Sequence, residues 1–435
     1  MVLKPLNSAV ALTLLSLATP LSADTLIDVY RVAALHDTET SSADAARLAA
    51  RERTQQSRAV LRPQADFNSN LTHTWQTINS NSKSSDSWGY GVKLSQAIYA
   101  KAATEQLTHA ELLAEAADIT YASVKQNLMV RAAERYFNVL AAYDNLEFAT
   151  AEKEANARQL EQTKQRFEVG LIAITDVHEA QAAYDLSLAT HIAANNVLTN
   201  AQEALRELTG EFHKDLKRLT KEIPLLYPEP QNSQQWVDSA LNANLTILSA
   251  VRAEQAARER IKVNQAESQP SVDLVGQHNY TDNATTATGG FDITNSSIMV
   301  QLTLPLYRGG GTTARIRESE QLYNQQRAEL EKVRRNIQRQ TREAYASVEA
   351  NISQVAALKQ GIISTQSALD ASEAGLEVGT RTTVDVLNTR RELFRAERDH
   401  ARARYDYFLS TLRLKEAAGQ LTSGDLESIN NLLTK

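Results

Sequence analysis

Trp88-Gly89-Tyr90-Gly91-Val92-Lys93-Leu94-Ser95 alternates bulky apolar residues with small or polar ones. A period of two puts Trp88, Tyr90, Val92 and Leu94 on one face of a β-strand and the other residues on the opposite face. Upstream, Phe67, Leu71 and Trp75 alternate with Asn68, Asn70 and Thr74. A polar break at Asn79–Asp86 separates the two runs, so residues 66–98 read as a β-hairpin. The pattern returns at 272–306. There Val272, Leu274, His278 and Tyr280 alternate with Asp273, Gln277 and Asn279, a break follows at Asp282–Gly290, and Ile298, Val300, Leu302 and Leu304 close the set. Four strands of about 10–12 residues, each with one apolar face, suit a membrane barrel.

Four strands cannot close a barrel, which takes at least about eight. Lipid does not tolerate open sheet edges. The chain is therefore expected to oligomerise and to contribute its four strands n times; the sequence leaves n of two, three or four open.

The second hairpin is one sign of a general duplication. Ala49-Ala50-Arg51-Glu52-Arg53 recurs as Ala256-Ala257-Arg258-Glu259-Arg260, Tyr136 matches Tyr345, and Gly210 matches Gly419. The offset drifts only between 207 and 209 residues along the 435-residue chain. Residues 24–232 and 233–435 read as two copies of one subdomain, too long for solenoid repeats.

Between the hairpins lie rods. Ala100 to Val169 holds neither glycine nor proline; as one helix it is about 105 Å long at 1.5 Å per residue. Val139, Leu146, Leu160 and Phe167 keep a seven-residue spacing, interrupted by Lys153. Leu171 to Thr209 continues with Val177, Tyr184, His191, Leu198 and Leu205 at the same interval. Residues 100–209 are expected to be an antiparallel coiled hairpin turning at Gly170. Residues 312–418 repeat it, with Leu387, Phe394, Ala401 and Phe408 on the descending arm. The proline-bearing 211–232 and the tail after Leu421 read as connections and short helices outside the rods.

The N-terminus is an address. Lys4, the apolar run Ala9–Ala18 and Pro20-Leu21-Ser22-Ala23 read as a secretory leader, 1–23. No later apolar run reaches helix-spanning length. The chain has no cysteine, which removes disulfides, thiolate metal sites, a thiol nucleophile and a lipidated N-terminal cysteine. Net charge is −6 with no basic domain, so nucleic acid is not an expected partner. The eight histidines show no metal spacing, and Gly309-Gly310-Gly311 lacks the Lys-Ser/Thr of a phosphate loop. No cofactor, metal or catalysis is expected.

Over its whole mature length the chain resembles the TolC (outer membrane factor) family, the outer-membrane channels of Gram-negative multidrug efflux and type I secretion. The resemblance is most specific at Gln165-Arg166-Phe167-Glu168-Val169-Gly170-Leu171-Ile172-Ala173-Ile174-Thr175-Asp176-Val177 and at Val378-Gly379-Thr380-Arg381-Thr382-Thr383-Val384-Asp385-Val386-Leu387. It implies a homotrimer with a twelve-stranded barrel in outer-membrane lipid and a periplasmic α-helical barrel. It also implies a periplasmic adaptor and an inner-membrane pump or ABC transporter as partners. Val169, Gly170, Leu171, Val378, Gly379 and Thr380 resemble the adaptor-contact tips, although Gly170 and Gly379 equally suit ordinary helix ends.

Asp385 matches a pore-facing ring acid, although an acid one turn into a helix also suits the helix dipole. The usual second ring acid is Asn388 here, and its repeat mate Glu179 is a candidate replacement. Arg381 matches a latch to Thr175 and Asp176 of the neighbouring coil; the tyrosine that supports this latch is Leu376 here. Independently of the resemblance, Trp75, Trp88, Tyr99 and Tyr307 suit a membrane girdle. Arg390, Arg391, Arg395, Arg398, Arg402 and Arg404 interleave with Glu392, Glu397 and Asp399 and read as a salt-bridged solvated face. The expected function is a passive exit duct. The alternative is a secreted coiled-coil adhesin or structural rod, which has no use for apolar alternating hairpins.

Overall fold

A computed structural model of the chain describes residues 23–79, 81–220, 222–283 and 290–434. All of the expected leader except residue 23, and residues 284–289 of the second hairpin break, lie outside the described residues. Strands β1 (Gln64–Ile78), β2 (Asn81–Ala100), β3 (Ser271–Asn283) and β4 (Phe291–Thr303) form one antiparallel sheet in chain order. Among the described residues, β1 and β4 each pair on one side only.

β1 and β2 run to 15 and 20 residues, longer than the alternating runs. Most of the polar break Asn79–Asp86 is strand instead: Asn81 to Asp86 pair with β1 out to Ile78↔Asn81. Backbone hydrogen bonding carries these strands past the point where an apolar face ends. Register puts Phe67 opposite Val92, and Leu71 opposite Trp88, on one face; Asn68 and Asn70 sit opposite Gly91 and Gly89 on the other. The row through Gly91 continues to Asn279 and Asn295. A Cβ at Gly91 would lie 2.5 Å from Asn279 Oδ1 and 2.7 Å from Asn68 Oδ1. The missing side chain therefore makes room for the carboxamides of the polar face.

The helices are α1 (Leu26–His36), α2 (Thr38–Ala59), α3 (Lys101–Glu168), α4 (Ile174–Thr209), α5 (Ser233–Ala243), α6 (Leu245–Ala266), α7 (Gly311–Glu377), α8 (Thr383–Ala417) and α9 (Ser423–Asn430). α3 and α7 hold 68 and 67 residues, about 100 Å each at 1.5 Å per residue. α3 pairs with α4, α7 pairs with α8, and α3 also packs on α8. Nearer the sheet, α2 and α6 flank α3, and α6 reaches α7. The short helices thus take the places that α4 and α8 hold further along. The buried face of α4 runs through Ala180, Ala183, Ser187, Ala194, Leu198 and Leu205; small residues let the paired helices approach closely.

The main core sits where α1, α9 and the connection 211–232, which has no helix among its described residues, wrap the rods. Tyr136, Phe137 and Leu140 of α3 meet Phe408 and Leu412 of α8 and Leu426 of α9. The Tyr136 hydroxyl donates to the Lys217 carbonyl at 2.6 Å, tying the connection to α3. Close by, Arg131 grips Asp37 through its two terminal nitrogens at 3.0 and 2.8 Å. Burial pushes the Asp37 carboxyl up, but hydrogen bonds from Arg131 and Thr40 and the Arg131 charge outweigh it and hold it at about 2. A carboxyl lowered on folding contributes fully above its unfolded value of roughly 3.9. This contribution is lost as pH falls through about 2.

Candidate functional site

The two helical hairpins turn at matching ends. Gly170 and Gly379 follow α3 and α7 in left-handed geometry, at φ 76° and 78°. Gly170 N–H donates to Phe167 and Leu171 N–H to Arg166, both at 2.9 Å. Gly379 N–H donates to Leu376 at 3.3 Å and Thr380 N–H to Gly375 at 2.8 Å. These paired bonds satisfy the last helix carbonyls and reverse the chain within a few residues. The reversal leaves Val169, Leu171 and Val378 at 70%, 69% and 74% exposure. No heavy atom would lie within 4 Å of a Cβ on either glycine. The tips are two open knobs with apolar side chains outward.

The returning helices start differently. Thr382 caps α8: its hydroxyl accepts from Asp385 N–H at 3.2 Å, and the Asp385 carboxylate accepts from Thr382 N–H and O–H, both at 2.9 Å. The Thr382 hydrogen bonds, with the Arg381 charge, hold the Asp385 carboxyl below the usual carboxylate range. α4 starts after Ala173, which has no side-chain cap. Its twin acid, Asp176, uses its N–H to donate to the Ala173 carbonyl at 3.2 Å. Among the described residues the Asp176 carboxylate has no hydrogen-bond partner. Thr-x-x-Asp at 382–385 against Ala-x-x-Asp at 173–176 was a legible difference.

Among the described residues Arg381 makes no ion pair within the chain. Its N–H donates to the Gly375 carbonyl at 3.1 Å, and its side chain folds across the last turn of α7. Only glycine permits this, since a Cβ at Gly375 would lie 2.6 Å from Arg381 Cγ. Thr175 is exposed. Leu376 packs against the cluster of Leu369, Val386 and Leu393, so it joins the two helices apolarly. Asn388 and Glu179 are exposed on α8 and α4.

One tip contact was missed in the sequence. Arg390 Nη2 lies 2.6 Å from Glu373 Oε1, and its side chain is only 17% exposed. The pair clasps α8 to α7 above the tip. Of the rest of the arginine stripe, Arg398 pairs with Asp399 and Arg402 with Asp406 on its own face, both at 3.0 Å, whereas Arg404 reaches across to the Thr220 carbonyl of the connection.

On the sheet, Trp75 and Trp88 are exposed toward the hairpin-turn end and Tyr99 toward the rods; Tyr307 is exposed too, but it lies beyond the end of β4, in the link to the next rod. Trp88 Nε1–H donates to Asp282 at 3.0 Å. Among the described residues no group of three or more His, Asp or Glu could hold a metal ion. No described helix is long and apolar enough to cross a membrane.

Comparison with known proteins adds to this geometry. The sequence model of the family described as outer membrane efflux protein matches residues 29–211 and 236–420, one match to each repeat. Outer membrane protein TolC of Vibrio cholerae is 40% identical over 433 residues, covering 98% of both chains. Outer membrane protein TolC of Escherichia coli is 35% identical over 443 residues, covering 99% of this chain and 90% of that one. The crystal structure of the Campylobacter jejuni CmeC outer membrane channel aligns with a TM-score of 0.80 at 15% identity, over 100% of this chain and 98% of that chain. At that identity the last likeness concerns the fold alone. With both repeats matched and two relatives aligned over nearly their whole length, this chain belongs to the outer membrane efflux protein family.

Proposed function

We propose that this protein is the trimeric exit duct of a tripartite efflux pump or type I secretion system. It is a passive conduit, opened at its periplasmic tips. The observation that carries the proposal is one geometry: a four-stranded sheet with one apolar face, set on helices of 68 and 67 residues that end in exposed knobs. Three copies supply twelve strands, with the β4 edge of one meeting the β1 edge of the next. The polar face with its asparagines then lines the lumen.

Tyr99 and Tyr307 form the periplasmic girdle, and Trp75 and Trp88 the outer one. Tyr99 lies eleven residues from Trp88 on β2, roughly 36 Å along the strand at about 3.3 Å per residue. At a tilt of about 45° that is about 25 Å of height, the apolar band of such barrels.

The tips are the docking points of a periplasmic adaptor, and energy comes from an inner-membrane pump or ABC transporter. Asp385 contributes one charge per protomer to the gate, Asn388 none, and Glu179 stands nearby as a second candidate. The uncommitted carboxylate of Asp176, with Thr175, receives Arg381 from the adjoining protomer. No enzymatic step is required. As a secreted rod, the chain would leave Phe67, Leu71, Trp75 and Ile298 in water, all more than two-thirds exposed.

The test is complementation. Produced with its own adaptor and pump in a strain lacking an exit duct, the protein is expected to restore resistance to efflux substrates. Outer-membrane protein without restored export would overturn the proposal.

A further inference from the structure

The α7–α8 hairpin meets the α3–α4 hairpin through α8, which packs on both α3 and α4. Part of that seam is not filled. A cavity of about 470 Å³ lies between α8 and the α3–α4 pair. Its apolar lining includes Phe148 of α3 and Phe394 of α8. Charges line it as well: Glu152 comes from α3, and Arg391, Arg395 and Arg398 come from α8.

Glu152 is half-buried. Among the described residues its carboxylate has neither a hydrogen bond nor an ion pair. Burial pushes the carboxyl up, and the charges of Arg391 and Arg398 only partly pull it back. A half-buried ion without a partner is unfavourable beside apolar side chains. Two of the three guanidiniums facing it are engaged on their own helix. Arg398 donates to Asp399 at 3.1 and 3.0 Å, and Arg395 lies 3.9 Å from Glu392 and 4.0 Å from Asp399. Arg391 is different. Among the described residues its side chain has no hydrogen bond and no ion pair. Its neighbour Arg390 clasps Glu373 of α7. Successive helical side chains point about 100° apart. Arg390 thus ties α8 to α7, while Arg391 faces the other hairpin with its charge uncommitted.

We infer that Glu152 and Arg391 are the two halves of a second clasp, which forms when the α7–α8 hairpin shifts against the α3–α4 hairpin and closes the cavity between them. The inference rests on the duct reading, in which the rods rearrange to open the tips. The Arg390–Glu373 clasp keeps α7 and α8 together, so the two hairpins are the moving units and the seam between them is where contacts change. In this structure the two charges are apart; in the other arrangement they pair, once in each protomer. A contact made in only one of two states biases the equilibrium between them, whereas a contact made equally in both does not. Glu152 and Arg391 therefore act on the gate from within each protomer, apart from the latch at the tips.

The experiment is a double-mutant cycle on the full-length trimer in planar bilayers, read as the ratio of time spent at the high and low conductance levels. Glu152→Gln and Arg391→Gln each remove one charge and keep a polar side chain. Each is expected to shift the ratio about fivefold in the same direction, about 1 kcal/mol. The double variant should shift it no further than either single one, because both remove the same pair. Additive shifts, or no shift in either single variant, would overturn the inference. So would a lowered unfolding temperature with an unchanged ratio, the mark of a pair that only holds the fold. Arg398→Gln is the control, since Asp399 already holds that guanidinium; a shift as large as that of Arg391→Gln would overturn the assignment to Arg391. A wild-type trimer that conducts nothing would contradict the duct reading instead, which keeps the two failures distinct.

Discussion

Gly170→Ile or Gly379→Ile is expected to abolish export while the trimer still assembles. Both glycines sit at φ near +77°, at 76° and 78°. There an L-residue costs about 1–2 kcal/mol and a β-branched one more. The new side chain itself meets nothing, because no atom lies within 4 Å of either Cβ position. The effect therefore comes from the backbone. Relieving the strain breaks the Leu171–Arg166 or Thr380–Gly375 bond, and the knob carrying Val169 and Leu171, or Val378, changes shape. The damage stays local, since the tips lie about 100 Å from the sheet along helices of this length. Resistance in the complemented strain and the heat-sensitive trimer band are the paired readouts. Full resistance with either variant would remove the tips as docking sites.

Arg381→Ser is expected to raise single-channel conductance in planar bilayers, and Asp385→Ala to lower cation preference. An exposed ion pair such as Arg381–Asp176 is worth about 0–1 kcal/mol, so three give roughly 0–3. Driving a two-state gate from 1:99 to 99:1 takes about 5.5 kcal/mol. The latch alone cannot hold the gate shut. On the proposed reading coil packing supplies the rest, including the packing of Leu376 on the cluster of Leu369, Val386 and Leu393 and the Arg390–Glu373 clasp. Leu376 adds packing where a hydroxyl would have added a hydrogen bond, so removing Arg381 should be felt.

The capping box makes a control necessary for the second variant. Asp385→Ala removes both the charge and the acceptor for Thr382. Asp385→Asn keeps an acceptor and removes only the charge, and it should lose cation preference equally. Because the Asp385 carboxyl is held below its usual range, the preference should persist to lower pH than an ordinary carboxylate allows. Asn388 leaves little selectivity behind once Asp385 is gone. Full selectivity in both variants would place the charge ring elsewhere, with Glu179 the first residue to replace. Unchanged conductance in Arg381→Ser would remove the latch.

The legible parts of this fold are those written in local periodicity. The period-two runs around Trp88 and Ile298 located the hairpins, and the glycine-free stretch after Ala100 located the rod. The near-constant repeat offset placed each twin. The tips were readable for the same reason, since Val-Gly marks a helix reversal at both positions. Tertiary pairing was not readable. Nothing in Asn81–Ser87 shows that it pairs with β1, because its side chains carry no apolar face and its backbone does the pairing. Arg390 looked like one member of a solvated stripe, yet it reaches Glu373 seventeen residues back across the coil. The different fates of Asp176 and Asp385 were present as Ala173 against Thr382, a signal the duplication itself obscured.

Everything proposed rests on three chains joining their single-sided sheets into one closed barrel, because one sheet leaves β1 and β4 open and lipid does not tolerate that. The most direct measurement is the mass of the protein extracted from the outer membrane in mild detergent, before and after heating. Three copies in a complex that heat dissociates to single chains is the expected result. A complex of two or four copies would contradict the twelve-stranded closure, and a monomer soluble without detergent would contradict both the barrel and the channel.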